Sequence, residues 1–148
     1  MKKLLVISII TLVIISCCKE KEVIKAEENN SIVGTWKLVY AEIKENDSLQ
    51  IRDVSKSDFI KILNETHFSF LSQDHADSKL FYGAGGTYTI KDDLYTETLL
   101  YTSSDDYRGH HFPFTVQVTK DSLIQQGKEE TKDPNIKRYI VEKYIRIK

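Results

Sequence analysis

The sequence predicts an all-β protein, an antiparallel up-and-down barrel of about eight strands over residues 32–148. Three observations carry this expectation. From Ile32 onward, runs rich in β-branched and aromatic residues recur at short, even intervals. Short turn signals part them, as at Asn64-Glu65, Asp92-Asp93 and Lys120-Asp121. No stretch between them carries a convincing helical period. Evenly spaced antiparallel strands build a sandwich or a barrel. The immunoglobulin arrangement of a disulfide beside a tryptophan is absent, because the domain has no cysteine. Closing the sheet removes its exposed edges, and eight strands leave room for one small ligand.

The chain opens with Lys2-Lys3 and an apolar run, Leu4–Ile15, interrupted only by Ser8 and Thr11. The run falls short of the about 20 apolar residues that a membrane-spanning helix needs. A basic start and a short apolar run are the two leading parts of an export signal. Ile14-Ile15-Ser16-Cys17 then resembles a bacterial lipobox. That resemblance implies cleavage after Ser16, a diacylglycerol thioether on Cys17 and an acylated amino group. Several acyl chains hold a protein at a bilayer where one, at roughly 0.8 kcal/mol per buried CH₂, holds it only marginally. Residues 1–16 are thus expected as a lipoprotein signal peptide. A lipid-anchored place in the bacterial cell envelope follows, with the outer membrane as the expected membrane. Cys18 has no partner elsewhere in the chain, since Cys17 and Cys18 are its two cysteines; no role is assigned to it.

Removing the first 16 of 148 residues leaves 132, enough for one domain with a real core. Losing Lys2 and Lys3 from 21 basic residues leaves 19 against 22 acidic ones, a net charge of −3. No basic stripe remains, so nucleic acid is not an expected partner. Residues 17–31 are expected as a tether, because "CKEKEVIKAEENNS" is dense in charge and poor in apolar groups.

The strands follow in order: 32–44 ("IVGTWKLVYAEIK"), 59–63, 66–72, 86–91, 94–102, 111–118, 122–127 and 136–148. The cleanest alternation is in 111–118. It sets Phe112, Phe114, Val116 and Val118 on one face and Pro113, Thr115 and Gln117 on the other. Pro113 suits an edge, a strand start or a bulge. Residues 46–58 are expected to hold one helical turn or a lid. "YGAGG" (82–86) is expected as a flexible turn. It starts no helix and so offers no phosphate cradle.

Gly34-Thr35-Trp36 opens the first strand and Arg146 lies near the end of the last. This resembles the lipocalin pattern of Gly-x-Trp followed by a late basic residue. The resemblance implies that Arg146 packs on Trp36 and closes one barrel end, a cation–π contact of roughly 0.5–2 kcal/mol. Arg138 would take that part if the register differs by a turn. The ordered set "THFSF", "GAGGTYTIKDDLYTETLLY", "FTVQVTKDSLIQQG" and "EKYIRIK" resembles a lipocalin-like family of bacterial proteins, many of them exported. That resemblance covers most of residues 32–148 and brings no reaction with it.

Alternation groups Trp36, Leu38, Tyr40 and Glu42, then Tyr88 with Ile90, then Tyr95, Glu97, Leu99 and Tyr101, and last Ile140, Glu142, Tyr144 and Arg146. If these faces line the interior, Tyr40, Tyr88, Glu97, Tyr101, Glu142 and Tyr144 are the candidate ligand-binding residues. Buried charge must be paired or hydrated, so such an interior is an ion-pair network or a wet pocket for a polar or amphipathic ligand; for the barrel as a whole, a small apolar or amphipathic ligand is the expected partner. The alternative, Glu97 and Glu142 facing solvent, stays open. So does the parity of 32–44, whose other face carries Val33, Val39, Ala41 and Ile43. His110-His111 would point to opposite faces of a strand and so cannot chelate together, and no metal or cofactor is expected. No nucleophile elbow or His-Glu-x-x-His run is present, so no enzyme activity is expected. A structural lipoprotein working through protein contacts is the alternative to a ligand carrier.

Overall fold

The computed structural model describes residues 31–46, 48–130 and 137–148. Nine strands form one antiparallel sheet: β1 (Gly34–Glu45), β2 (Ser48–Ile51), β3 (Ser57–Leu63), β4 (His67–Asp74), β5 (Phe81–Lys91), β6 (Leu94–Tyr101), β7 (His111–Val118), β8 (Ser122–Glu130) and β9 (Lys137–Ile147). From β3 to β9 each strand pairs with the next, and β1 pairs with both β3 and β9, which closes an eight-stranded barrel. The short β2 lies outside that cycle, hairpinned onto the end of β1 from Glu42 to Glu45. The barrel is therefore the expected all-β, up-and-down one, consistent with a lipocalin-like architecture. The expected signal peptide, residues 17–30 of the expected tether with Cys17 among them, and residues 131–136 lie outside the described residues.

Two expectations about local structure are corrected. The described residues of 46–58 contain the strand β2, the start of β3 and no helix; Asn46, with φ of 51°, sits at the end of β1 just before β2 returns along it. "YGAGG" is the first half of β5, not a turn. Its glycines serve close strand approach. A Cβ on Gly86 would overlap the Thr98 carbonyl oxygen of the neighbouring strand.

The core fills one end of the barrel. Trp36, Tyr95, Tyr144 and Leu123 are fully buried there, with Leu38, Leu63, Phe68 and Val116 packed among them. Arg146 caps this end. Its guanidinium lies 4.0 Å from the Trp36 ring centre and donates to the carbonyls of Ser31, Val33 and Lys120, each at 2.7 Å. The indole N–H of Trp36 donates to the Ile32 carbonyl. Gly34 sits under the guanidinium with φ of 150°; a side chain there would collide with it. Gly-x-Trp and the late arginine are thus one contact set, and Arg138 takes no part in it. Arg146→Ala removes three charged hydrogen bonds and the cation over the indole. A loss of about 2–4 kcal/mol in urea unfolding is expected, with Arg146→Lys recovering only part.

Candidate functional site

The other end of the barrel is open. Between the mouth and the packed end lies a cavity of about 410 Å³, within the roughly 300–1,000 Å³ usual for small-molecule sites. Alternation explains its wall. Phe59 on β3, Phe70 on β4, Ala84 on β5, Leu99 on β6, Phe112 and Phe114 on β7 and Ile140 on β9 all line it. Phe59 and Phe70 stack at 5.4 Å, and Tyr82 meets both edge-on at the rim. The β6–β7 loop contributes Tyr107, whose ring lies against Phe112.

The floor is polar. Lys61, 2% exposed, pairs with Glu97 and donates to the Gln125 amide oxygen at 2.6 Å. Its ammonium also lies within 6 Å of the Phe68, Tyr95 and Tyr144 rings. Tyr95 donates to Glu97 at 2.9 Å. Glu142 lines the same floor, half-buried, and accepts the Tyr144 hydroxyl at 2.6 Å. Among the described residues no cation stands within ion-pair distance of it. Burial pushes the Glu142 carboxyl above its ordinary value of 4.5, Glu97 and Glu129 push the same way, and Lys61 and the Tyr144 hydrogen bond pull against them. Burial likewise raises the Tyr95 and Tyr144 phenols, so both stay neutral donors.

Two arginines stand at the mouth. Arg138 bridges Glu45 on β1 and Glu129 on β8, at 2.8 and 3.1 Å. Arg52 follows β2 and lies 5.2 Å over the Phe59 ring. It donates to the hydroxyls of Ser57, Ser72 and Tyr82, and among the described residues no carboxylate pairs with it.

The expected site residues divide. Glu97, Glu142 and Tyr144 come together on the cavity floor. Tyr88 faces inward but below the cavity, its ring tilted against that of Tyr95 and its hydroxyl donating to the Asn64 carbonyl. Tyr40 and Tyr101 face outward, which corrects both assignments. In β1 a bulge at Val39 shifts the register against β9 between Leu38 and Tyr40. Trp36 and Leu38 point in before it, and Ala41 and Ile43 point in after it. Tyr40 is left outside, under the Lys143 ammonium and bonded to Glu42. In β6 the register against β5 slips so that Leu99 faces Gly86 and Tyr101 faces Gly85. Tyr101 is turned out to 63% exposure beside Ile62, Leu71 and Phe81.

Lys61, Gln125, Arg52 and the Arg138–Glu45–Glu129 set also line or edge the cavity, beyond the residues expected there. Strict alternation in "FIKIL" places Lys61 with Phe59 and Leu63, a legible sign that it faces in. Arg52 had no such sign, because its place depends on where β2 ends. His110 lies against Phe112 while His111 faces out to Thr98, so the two rings do diverge.

An eight-stranded barrel with a capped end and an open, aromatic-walled cup is a fold compatible with binding a small ligand. The chain belongs to the family described as a domain of unknown function (DUF4488), whose model matches residues 31–148. No curated protein matches the chain, and no solved structure does.

Lys61→Met strands the Glu97 carboxylate in the core and is expected to cost about 3–5 kcal/mol in denaturant unfolding. Lys61→Met with Glu97→Gln is expected to recover most of that loss. Glu142 supplies a pH dependence. A carboxyl whose pKa is higher folded than unfolded favours folding below its ordinary range, and that contribution is lost as pH rises through the raised value. The urea midpoint is expected to fall as pH climbs above about 4.5, and Glu142→Gln is expected to flatten the fall.

Proposed function

We propose that this protein is a non-enzymatic, lipid-anchored carrier of the bacterial envelope that holds one small apolar or amphipathic molecule in its barrel. The observation that carries the reading is the cup itself: an aromatic wall above a polar, hydrogen-bonded floor, open at one end. A barrel built only for stability would fill that space with side chains. The lipobox-like Ile14-Ile15-Ser16-Cys17 supports the anchor on Cys17, and the charged residues 18–31 support a spacer between membrane and domain.

Native mass spectrometry of the full chain from its own cells is expected to show retained mass beyond the protein and its lipid, lost in Leu99→Trp, which fills the cup. An unliganded spectrum together with no uptake of an apolar fluorescent probe would sink the carrier reading. Cys17→Ala is expected to abolish acyl labelling in growing cells, and Cys18→Ala to leave it intact.

A second reading, a protein-contact surface, is favoured by the outer patch of Ile62, Leu71, Phe81 and Tyr101, each at least 40% exposed. A photo-crosslinker at Tyr101 would give a stoichiometric protein adduct in cells under this reading and none under the first.

A further inference from the structure

We propose that the cavity selects molecules whose apolar, arene-sized body carries a cationic amine, with the ammonium seated against Glu142. This inference rests on the carrier reading and adds the chemistry of the head group.

The argument is one of charge and position. Around Glu142, β3 presents Lys61, β6 presents Glu97, β8 presents Gln125 and Glu129, β9 itself presents Tyr144, and the facing position of β1 is Ala41. The single cation in this layer is already engaged by Glu97, by Gln125 and by three aromatic rings. Glu129 is held by Arg138 toward the mouth, so the floor itself has one ammonium for two carboxyls, Glu97 and Glu142, and the surplus carboxyl is Glu142. It reaches the cavity, and its one hydrogen-bond partner among the described residues is a phenol. Tyr144 satisfies one of its oxygens, which leaves acceptor capacity for N–H donors from above. A ligand ammonium supplies the missing positive charge in a low-dielectric site, where a charge-assisted hydrogen bond is strong. The aromatic wall directly above receives the apolar body. An anionic head would meet two carboxyls and a spent lysine on this floor, and with Arg138 held by Glu45 and Glu129 it would turn, among the described residues, to Arg52 at the mouth.

Occupation has a proton balance. Where Glu142 is protonated in the empty cup, an arriving ammonium makes the carboxylate the favoured form. The carboxyl then gives its proton to the buffer, and no covalent bond changes.

The test uses the full chain in detergent and three probes with one body: phenylbutylamine, phenylbutanol and phenylbutyrate. An environment-sensitive apolar dye reports occupancy of the cup, and calorimetry is run in buffers of different ionisation enthalpy. The amine is expected to bind roughly tenfold or more tighter than the carboxylate. It is also expected to release protons to the buffer. Glu142→Gln, which keeps a partner for Tyr144, is expected to abolish both the preference and the proton release, so that the amine binds no tighter than the alcohol. Equal affinity for all three probes would overturn the inference and leave the carrier reading standing. So would a tighter carboxylate lost in Arg52→Gln, which would move head-group recognition to the mouth. Failure of the dye and all three probes to bind would remove the carrier reading as well.

Discussion

Midway along the barrel, Lys61 and Glu97 form an ion pair that is nearly sealed from water. Two charges taken out of water cost several kcal/mol each unless their remaining hydrogen-bonding capacity is met. Here Gln125 and Tyr95 meet it, and three aromatic rings surround the ammonium. These partners come from β3, β4, β6, β8 and β9, so the pair ties opposite walls of the barrel together. It also divides the interior. Below it the side chains are close-packed down to the Trp36–Arg146 cap. Above it the polar layer gives apolar groups no reason to collapse inward, and a cavity remains.

The cap and the floor do different work with similar chemistry. Arg146 hydrogen-bonds three backbone carbonyls at chain segments far apart in sequence, which locks the barrel shut at that end. Lys61 is spent on side chains within the barrel. Arg138 is likewise consumed by two rim carboxylates. Among the described residues lining the cup, Arg52 is bound to hydroxyls and no carboxylate, and the floor carboxyl Glu142 is bound to a phenol and no cation. These half-answered groups are the ones that the proposed ligand reading uses.

Irregularities in two strands decide what reaches that site. The bulge at Val39 lets one strand present Trp36 and Leu38 to the packed end and Ala41 and Ile43 to the cup. Small Ala41 then stands opposite Glu142, where a bulkier residue would crowd the floor. The slip after Leu99 turns Tyr101 to the outside and leaves the β6–β7 loop to supply Tyr107 in its place. Both apolar faces of residues 32–44 were therefore inward faces, each for half of the strand.

Much was legible in the residues themselves. β-branched and aromatic runs with tight turns determined an all-β barrel. The regular alternation of β9 set Glu142, Tyr144 and Arg146 on one inner face, and Gly34-Thr35-Trp36 marked the capped end. What the sequence could not determine was register. A single extra residue reverses every side chain beyond it, and nothing local in "KLVYAE" or "ETLLYT" announces where that residue falls. The choice belongs to the neighbouring strands, whose hydrogen bonds and close-packed glycines make one register fit. For the same reason Lys61, Gln125 and Arg52 became site residues only in the folded barrel. Their role comes from which partners five separate strands and one loop bring within hydrogen-bonding reach.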